Sequence, residues 1–255
     1  RRSRRWRDWI ISGIALGLGI QSRSALLAVV PGLAAGLLVE GWIENPRKWS
    51  KVARHAWPGF LIALIVFVSM LPWFVRNLVT FGNPVLGTSL TGYVIYRQNY
   101  MLGSDNYLRY IGSDEAYRAV QSLLERREDL SRSLDEIQMD AVYRAEAQEV
   151  IKAYPGRYLL LCLYRFIPLW TNWKINESYG GKTDAVGYAV MVEQVFLLAT
   201  ALIGAWKTRR DTWPLSICII FVCAAYMAVN AQIRYLVPVM PFVFSLSMVG
   251  LKSRD

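Results

Sequence analysis

The sequence has little of what most soluble active sites are built from: one histidine, His55, and three cysteines in 255 residues. Cys162, Cys218 and Cys223 all sit inside apolar runs without metal-ligand spacing, so they read as small apolar side chains and argue against a zinc site or a disulfide framework. No Walker loop, dinucleotide-binding glycine fingerprint, HExxH helix or nucleophile elbow occurs. P-loop, Rossmann, zincin and α/β-hydrolase chemistry are therefore excluded as readings of this chain.

Apolar and basic residues are plentiful instead. Hydrophobic residues make up 54% of the chain, there are ten tryptophans, and the formal charge is +10. Because the apolar residues come in long runs joined by short charged connections, this composition fits a polytopic membrane protein better than a basic nucleic-acid-binding domain. The expected fold is all-α, a membrane helix bundle with an external, partly helical insert.

Crossing the hydrocarbon core takes ~20 apolar residues. The segments 57–75, 186–206, 213–229 and 236–251 meet or approach that length. The run 9–39 would be roughly 46 Å long as a single helix, and Q-S-R-S at 21–24 interrupts it. Basic residues flank both its ends, Arg1, Arg2, Arg4, Arg5 and Arg7 before it and Arg47, Lys48, Lys51 and Arg54 after it. The positive-inside rule puts both flanks in the cytoplasm, so the segment goes out and returns as a hairpin with Arg23 near its turn. Continuing the alternation gives membrane helices over 1–76 (hairpin 9–39, helix 57–76), an external insert over 77–185, and three membrane helices over 186–255. The four cytoplasmic flanks hold 14 Lys/Arg against 5 Asp/Glu, whereas 77–185 holds 12 against 13. His55 falls on the cytoplasmic side, which argues against a histidine-based external site.

Within the insert, F-G-N-P-V-L-G-T-S-L-T-G (81–92) predicts turns, and S-L-D-E (133–136) predicts a capping box for a helix ending at Tyr154 before Pro155-Gly156. An earlier helix is expected over 114–128, with Tyr117, Val120 and Leu124 on one face. Y-L-L-L-C-L-Y-R-F-I-P-L-W (158–170) is short for a crossing and carries Arg165 and Pro168. It reads as one amphipathic helix, 157–171, in the external interface. The sequon N-E-S at 176–178 is read as a chance occurrence.

Three arginines remain at the external ends of membrane segments: Arg23, Arg76 and Arg234, the last in A-Q-I-R-Y-L-V-P-V-M-P (231–241). Ionisable groups at membrane depth tend to mark functional sites, and the guanidinium fork matches phosphate oxygens while keeping its charge. Brought together, they would suit the phosphate of a lipid-linked ligand. Tyr235 is a candidate neighbour of that phosphate, Glu193 a candidate polar partner of the arginines or a base, and Pro238 and Pro241 would shape the entry of the last helix. Single arginines serving only to snorkel towards lipid headgroups are the plainer alternative.

Three stretches resemble a family. G-L-G-I-Q-S-R-S (17–24), L-P-W-F-V-R-N-L-V-T-F-G-N-P-V (71–85) and I-R-Y-L-V-P-V-M-P (233–241) are similar to segments of GT-C fold, polyprenyl-phosphate-sugar-dependent glycosyltransferases. The likeness is to the branch of protein O-mannosyltransferases and bacterial lipid A aminoarabinose and galacturonic acid transferases. It implies hexosyl or pentosyl transfer from a polyprenyl-phosphate sugar to a lipid, glycan or protein acceptor on the external face of a bacterial inner (plasma) membrane. It further implies that Arg234, Arg23 and Arg76 face the donor phosphate. The family's general base, usually an aspartate in the first external loop, would lie upstream of Arg1, so this stretch alone is expected to be inactive. Family members differ over a divalent metal, and no ligand cluster here decides the matter. The competing readings are a transporter or flippase of anionic lipid-linked substrates and a non-catalytic membrane scaffold.

Overall fold

The computed structural model describes residues 6–82, 90–127, 135–173 and 184–252. Outside them lie the first five residues, most of the turn-rich stretch before residue 90, Glu128, Ser133 and the sequon. Among the described residues the regular elements are helices and there is no strand. The chain divides into two compact units, residues 1–86, 196–223 and 236–255 in one, and 87–195 with 224–235 in the other.

The first unit opens with α1 (Trp6–Ser22), α2 (Val29–Glu44) and α3 (Trp49–Phe81). Gly13 of α1 faces Ile65 and Gly17 faces Ser69, so α1 and α3 run parallel. Gly41 of α2 faces Val52 and His55 while Gly59 faces Ala34, so α2 runs against α3 and hence against α1. The reversal between α1 and α2 starts at Arg23, whose extended backbone (φ −149°, ψ 105°) leads into a single 3-10 turn over Ser24–Ala28. Ile20, Ile62, Val66 and Met70 form the shared core of these helices.

α3 departs from the expected 57–76 at both ends. Its first two turns are hidden from a search for apolar runs because Lys51 and Arg54 interrupt them, yet Val52, His55, Ala56 and Gly59 recur at helical spacing and are buried. At the other end it continues to Phe81 and stops where Gly82 adopts the left-handed conformation (φ 67°) that glycine tolerates best. At 33 residues it is roughly 50 Å long, and Arg76 belongs to its last turns rather than to a loop.

The later helices are α9 (Ala185–Lys207), α10 (Arg209–Val229) and α11 (Met240–Leu251). Cys218 and Pro214 of α10 lie against Gly32 and Gly36 of α2, which makes these two antiparallel. Only Thr208 separates α9 from α10. Nor is 236–251 a full membrane helix. Pro238 and Pro241 hold its start in a turn, and the remaining helix has 12 residues, roughly 18 Å. Two membrane-length helices and one short apolar helix therefore stand where three membrane helices are expected.

The second unit contains α4 (Thr91–Asn99), α5 (Ser113–Arg126), α6 (Glu136–Ala153), α7 (Pro155–Tyr164) and α8 (Phe166–Thr171). The capping box of α6 is made by Asp135 and Gln138, two residues beyond the expected Ser133 and Glu136. On α5 the buried face is Ala116, Val120 and Leu123, with Leu124 partly buried, while Tyr117 points out at 64% exposure. The expected single helix 157–171 is broken at Arg165, where α7 ends and α8 begins. α4 is only nine residues long, too short to persist alone. It is held from outside: Gly92 lets α6 approach so closely that a Cβ there would collide with Asp140 O, and the buried Asp140 carboxylate accepts from Tyr93 N–H at 3.0 Å. An anion at the first turn of a helix also complements its dipole.

Candidate functional site

The first unit carries Arg23 and Arg76. Gln21 Nε2 donates to Ser69 O at 2.9 Å, which ties the end of α1 to the middle of α3. Because Gly17 faces Ser69 and the two helices run parallel, Arg23 stands within about one helical turn of the level of Arg76, and both occupy the end of α1–α3 opposite Arg7, Arg47, Lys48, Lys51 and Arg54. Both are exposed. The Arg76 guanidinium lies 4.9 Å from the centre of the Trp73 ring and donates to Asn77 Oδ1 at 3.2 Å. At the opposite end His55 is buried, with Nε2 2.8 Å from Glu40 and Nδ1 3.6 Å from Glu44. It clamps α3 to α2 far from Arg23.

Arg234 belongs to the second unit, in a 3-10 turn of three residues, Ile233–Tyr235, that follows α10. It is exposed, with its guanidinium 5.4 Å from the Tyr235 ring centre. Tyr235 in turn stacks on Tyr226, centroids 4.7 Å apart and planes within 3°. Buried polar side chains fix the residues between. Tyr110 OH donates to Asn230 Oδ1 at 3.3 Å and accepts from Gln232 Nε2 at 2.7 Å, and Asn230 Nδ2 reaches Tyr235 OH at 3.4 Å. The exposed arginine is thus mounted on a fixed turn. α8 packs against this turn, and the buried indole N–H of Trp170 on α8 has no hydrogen-bond partner among the described residues.

The residue that sequence reasoning missed is Arg165. It is 2% exposed, in the break between α7 and α8. Its guanidinium donates to Gln98 O, to Asn99 Oδ1 at 3.1 Å, and to Met227 O and Ala228 O at 3.2 and 3.4 Å. Those carbonyls close α4 and α10, where the last four C=O groups of a helix lack an internal partner and carry the negative end of its dipole. No carboxylate pairs with Arg165 among the described residues, and burial lowers its pKa from the usual arginine value. Beside it, Tyr158 OH donates to Ala228 O at 3.0 Å, and burial pushes that phenol up to about 12. The signal available in the sequence was a charged residue in an apolar run. Its partners, mainly main-chain carbonyls 60 or more residues away in sequence, leave no trace in a residue pattern.

Glu193 is exposed on α9, in the same unit as Arg234. A cavity of about 210 Å³ opens between the end of α8 and the start of α9, lined by residues that include Thr171, Asn172, Asp184 and Gly187. Among the described residues no arginine lines it. Among the described residues no cluster of three His, Cys, Asp or Glu is placed to hold a metal ion.

Four helices are long and apolar enough to cross a membrane, 24–44, 49–81, 185–207 and 212–229, and the chain is a multi-pass membrane protein. Residues 1–73 match the family model described as dolichyl-phosphate-mannose-protein mannosyltransferase. This supports a membrane glycosyltransferase of the GT-C type. The matched stretch contains Arg23, ends three residues before Arg76, and takes in neither the second unit nor Arg234. No curated protein and no solved structure matches the chain.

Proposed function

We propose that this chain serves a membrane glycosyltransferase that moves a hexose or pentose from a polyprenyl phosphate to a lipid, glycan or protein acceptor on the external face. The observation that carries this reading is the family match over the first three helices, on a chain whose long helices suit a bilayer. In the reaction the acceptor oxygen attacks the anomeric carbon, the bond from that carbon to the phosphate oxygen breaks, and the electron pair leaves with the phosphate. Arginines that meet this growing charge lower the barrier. Arg234, Arg23 and Arg76 are assigned to that role, with Tyr235 beside Arg234. The acceptor proton passes to a general base, which the resemblance implies is an aspartate of a first external loop.

The test is transfer of labelled sugar from a polyprenyl-phosphate donor by the full-length protein in liposomes. Lipid movement across the bilayer without transfer would replace this reading with a flippase. Sidedness has its own check. Asp105 is fully exposed in the second unit, and in a variant whose native cysteines are replaced by alanine, Asp105→Cys should react with a membrane-impermeant maleimide in intact cells. Protection until the cells are opened would reverse the assigned orientation.

A further inference from the structure

We propose that Arg165 is a positioning residue for Arg234, an inference that rests on the donor-phosphate role assigned to Arg234. α10 ends at Val229 and the turn carrying Arg234 begins four residues later. Hydrogen bonds and one ring stack fix this short stretch within the second unit. Arg165 and Tyr158 hold the carbonyls of Met227 and Ala228 at its start, Tyr110 holds Asn230 and Gln232 in its middle, and the Tyr226–Tyr235 stack closes its end. Arg165 also reaches a second helix end, at Gln98 and Asn99 of α4. α4 is itself pinned at its first turn by Asp140. Arg165 therefore gives the last turn of α10 a fixed reference, and with it the backbone from which Arg234 projects.

A buried arginine with this arrangement is costly to the fold if its only task is packing. A guanidinium taken out of water needs compensation for its lost hydration, and here main-chain and amide oxygens supply it, with no carboxylate paired to it among the described residues. The second unit so keeps a positive charge, Arg165, in hydrogen-bond contact with the end of the helix that leads to Arg234. Both terminal nitrogens of this guanidinium are already committed to protein oxygens. Its contribution is geometric, and geometry matters steeply, since displacing a group that meets a transition state by ~1 Å can cost a factor of 10².

The experiment compares the full-length protein with Arg165→Met, Arg165→Lys, Arg234→Ala and the Arg165→Met/Arg234→Ala double variant. Transfer from a polyprenyl-phosphate sugar is read in liposomes, and hydrogen–deuterium exchange in nanodiscs. Arg165→Met is expected to lower kcat by between about tenfold and a hundredfold, and the double variant should be no slower than Arg234→Ala alone, because a misplaced residue and a missing one are equivalent. Exchange should rise over 226–235 and stay unchanged over 29–44. Arg165→Lys keeps the charge but loses the planar fork, and should fall between; should the methionine variant not assemble, the lysine variant carries the same readouts. Losses that multiply in the double variant, or unchanged exchange over 226–235, would overturn the assignment. Absence of transfer by the unaltered protein, with exchange still raised in the variant, would instead remove the glycosyltransferase reading and support the tethering of this segment.

Discussion

Arg234→Ala is expected to lower kcat for sugar transfer by about 10²–10³, the loss that follows removal of one donor aimed at developing negative charge. The effect falls on kcat more than on KM because the ester phosphate of the bound donor gains charge only as the glycosidic bond breaks, so the interaction strengthens on the way to the transition state. Arg234→Lys retains the charge without the bidentate fork and should recover part of the rate. Arg76→Ala should cost less, because its guanidinium rests on Trp73 and donates to Asn77 on its own helix, contacts that account for much of its placement. Initial rates over a range of donor concentrations separate these cases. Wild-type kcat in Arg234→Ala, at equal protein in the membrane, would remove the phosphate role from the residue to which the sequence points most strongly.

Not all of this was legible in the sequence, and the reasons differ from residue to residue. The helices with uninterrupted apolar runs came out almost to the residue: 186–206 is Ala185–Lys207, and the break at Q-S-R-S is where α1 stops. Charged stretches hid the rest. Lys51 and Arg54 concealed the amphipathic start of α3. Prolines acted locally in ways that hydropathy does not weigh. Pro58 and Pro72 are carried inside α3, whereas Pro238 and Pro241 shorten α11 to three turns. The exposed arginines could be picked out because an isolated charge beside an apolar run is visible in one dimension. The support beneath Arg234 could not, since Tyr110 and Asn230 are 120 residues apart and Arg165 bonds to backbone carbonyls, which every residue has.

The largest expected loss of stability comes from a pair of small residues in the first unit. Gly204 of α9 and Gly250 of α11 meet so closely that a Cβ on Gly204 would overlap Leu246 O, and one on Gly250 would overlap Thr200 O. On the same face Thr200 Oγ1 and Ser247 Oγ share a hydrogen bond of 2.6 Å, and Lys207 Nζ donates at 2.9 Å to Gly250 O and Lys252 O, capping α11. Lipid offers apolar surfaces as good as another helix, so what joins helices in a bilayer is close packing and hydrogen bonds, both of which need small residues here. α11 depends on this more than its neighbours, because 12 residues are too few to span the hydrocarbon core unaided. Gly204→Val should therefore destabilise by about 3 kcal/mol or more, the upper end of overpacking costs, with Gly204→Ala intermediate. Gly250→Ala should resemble Gly204→Ala, and combining the two should cost less than their sum, since helices already forced apart have room for the second methyl. Thermal unfolding of the detergent-solubilised protein reads each of these. A Gly204→Val variant that melts with the wild type would mean that α11 is held by something other than this contact.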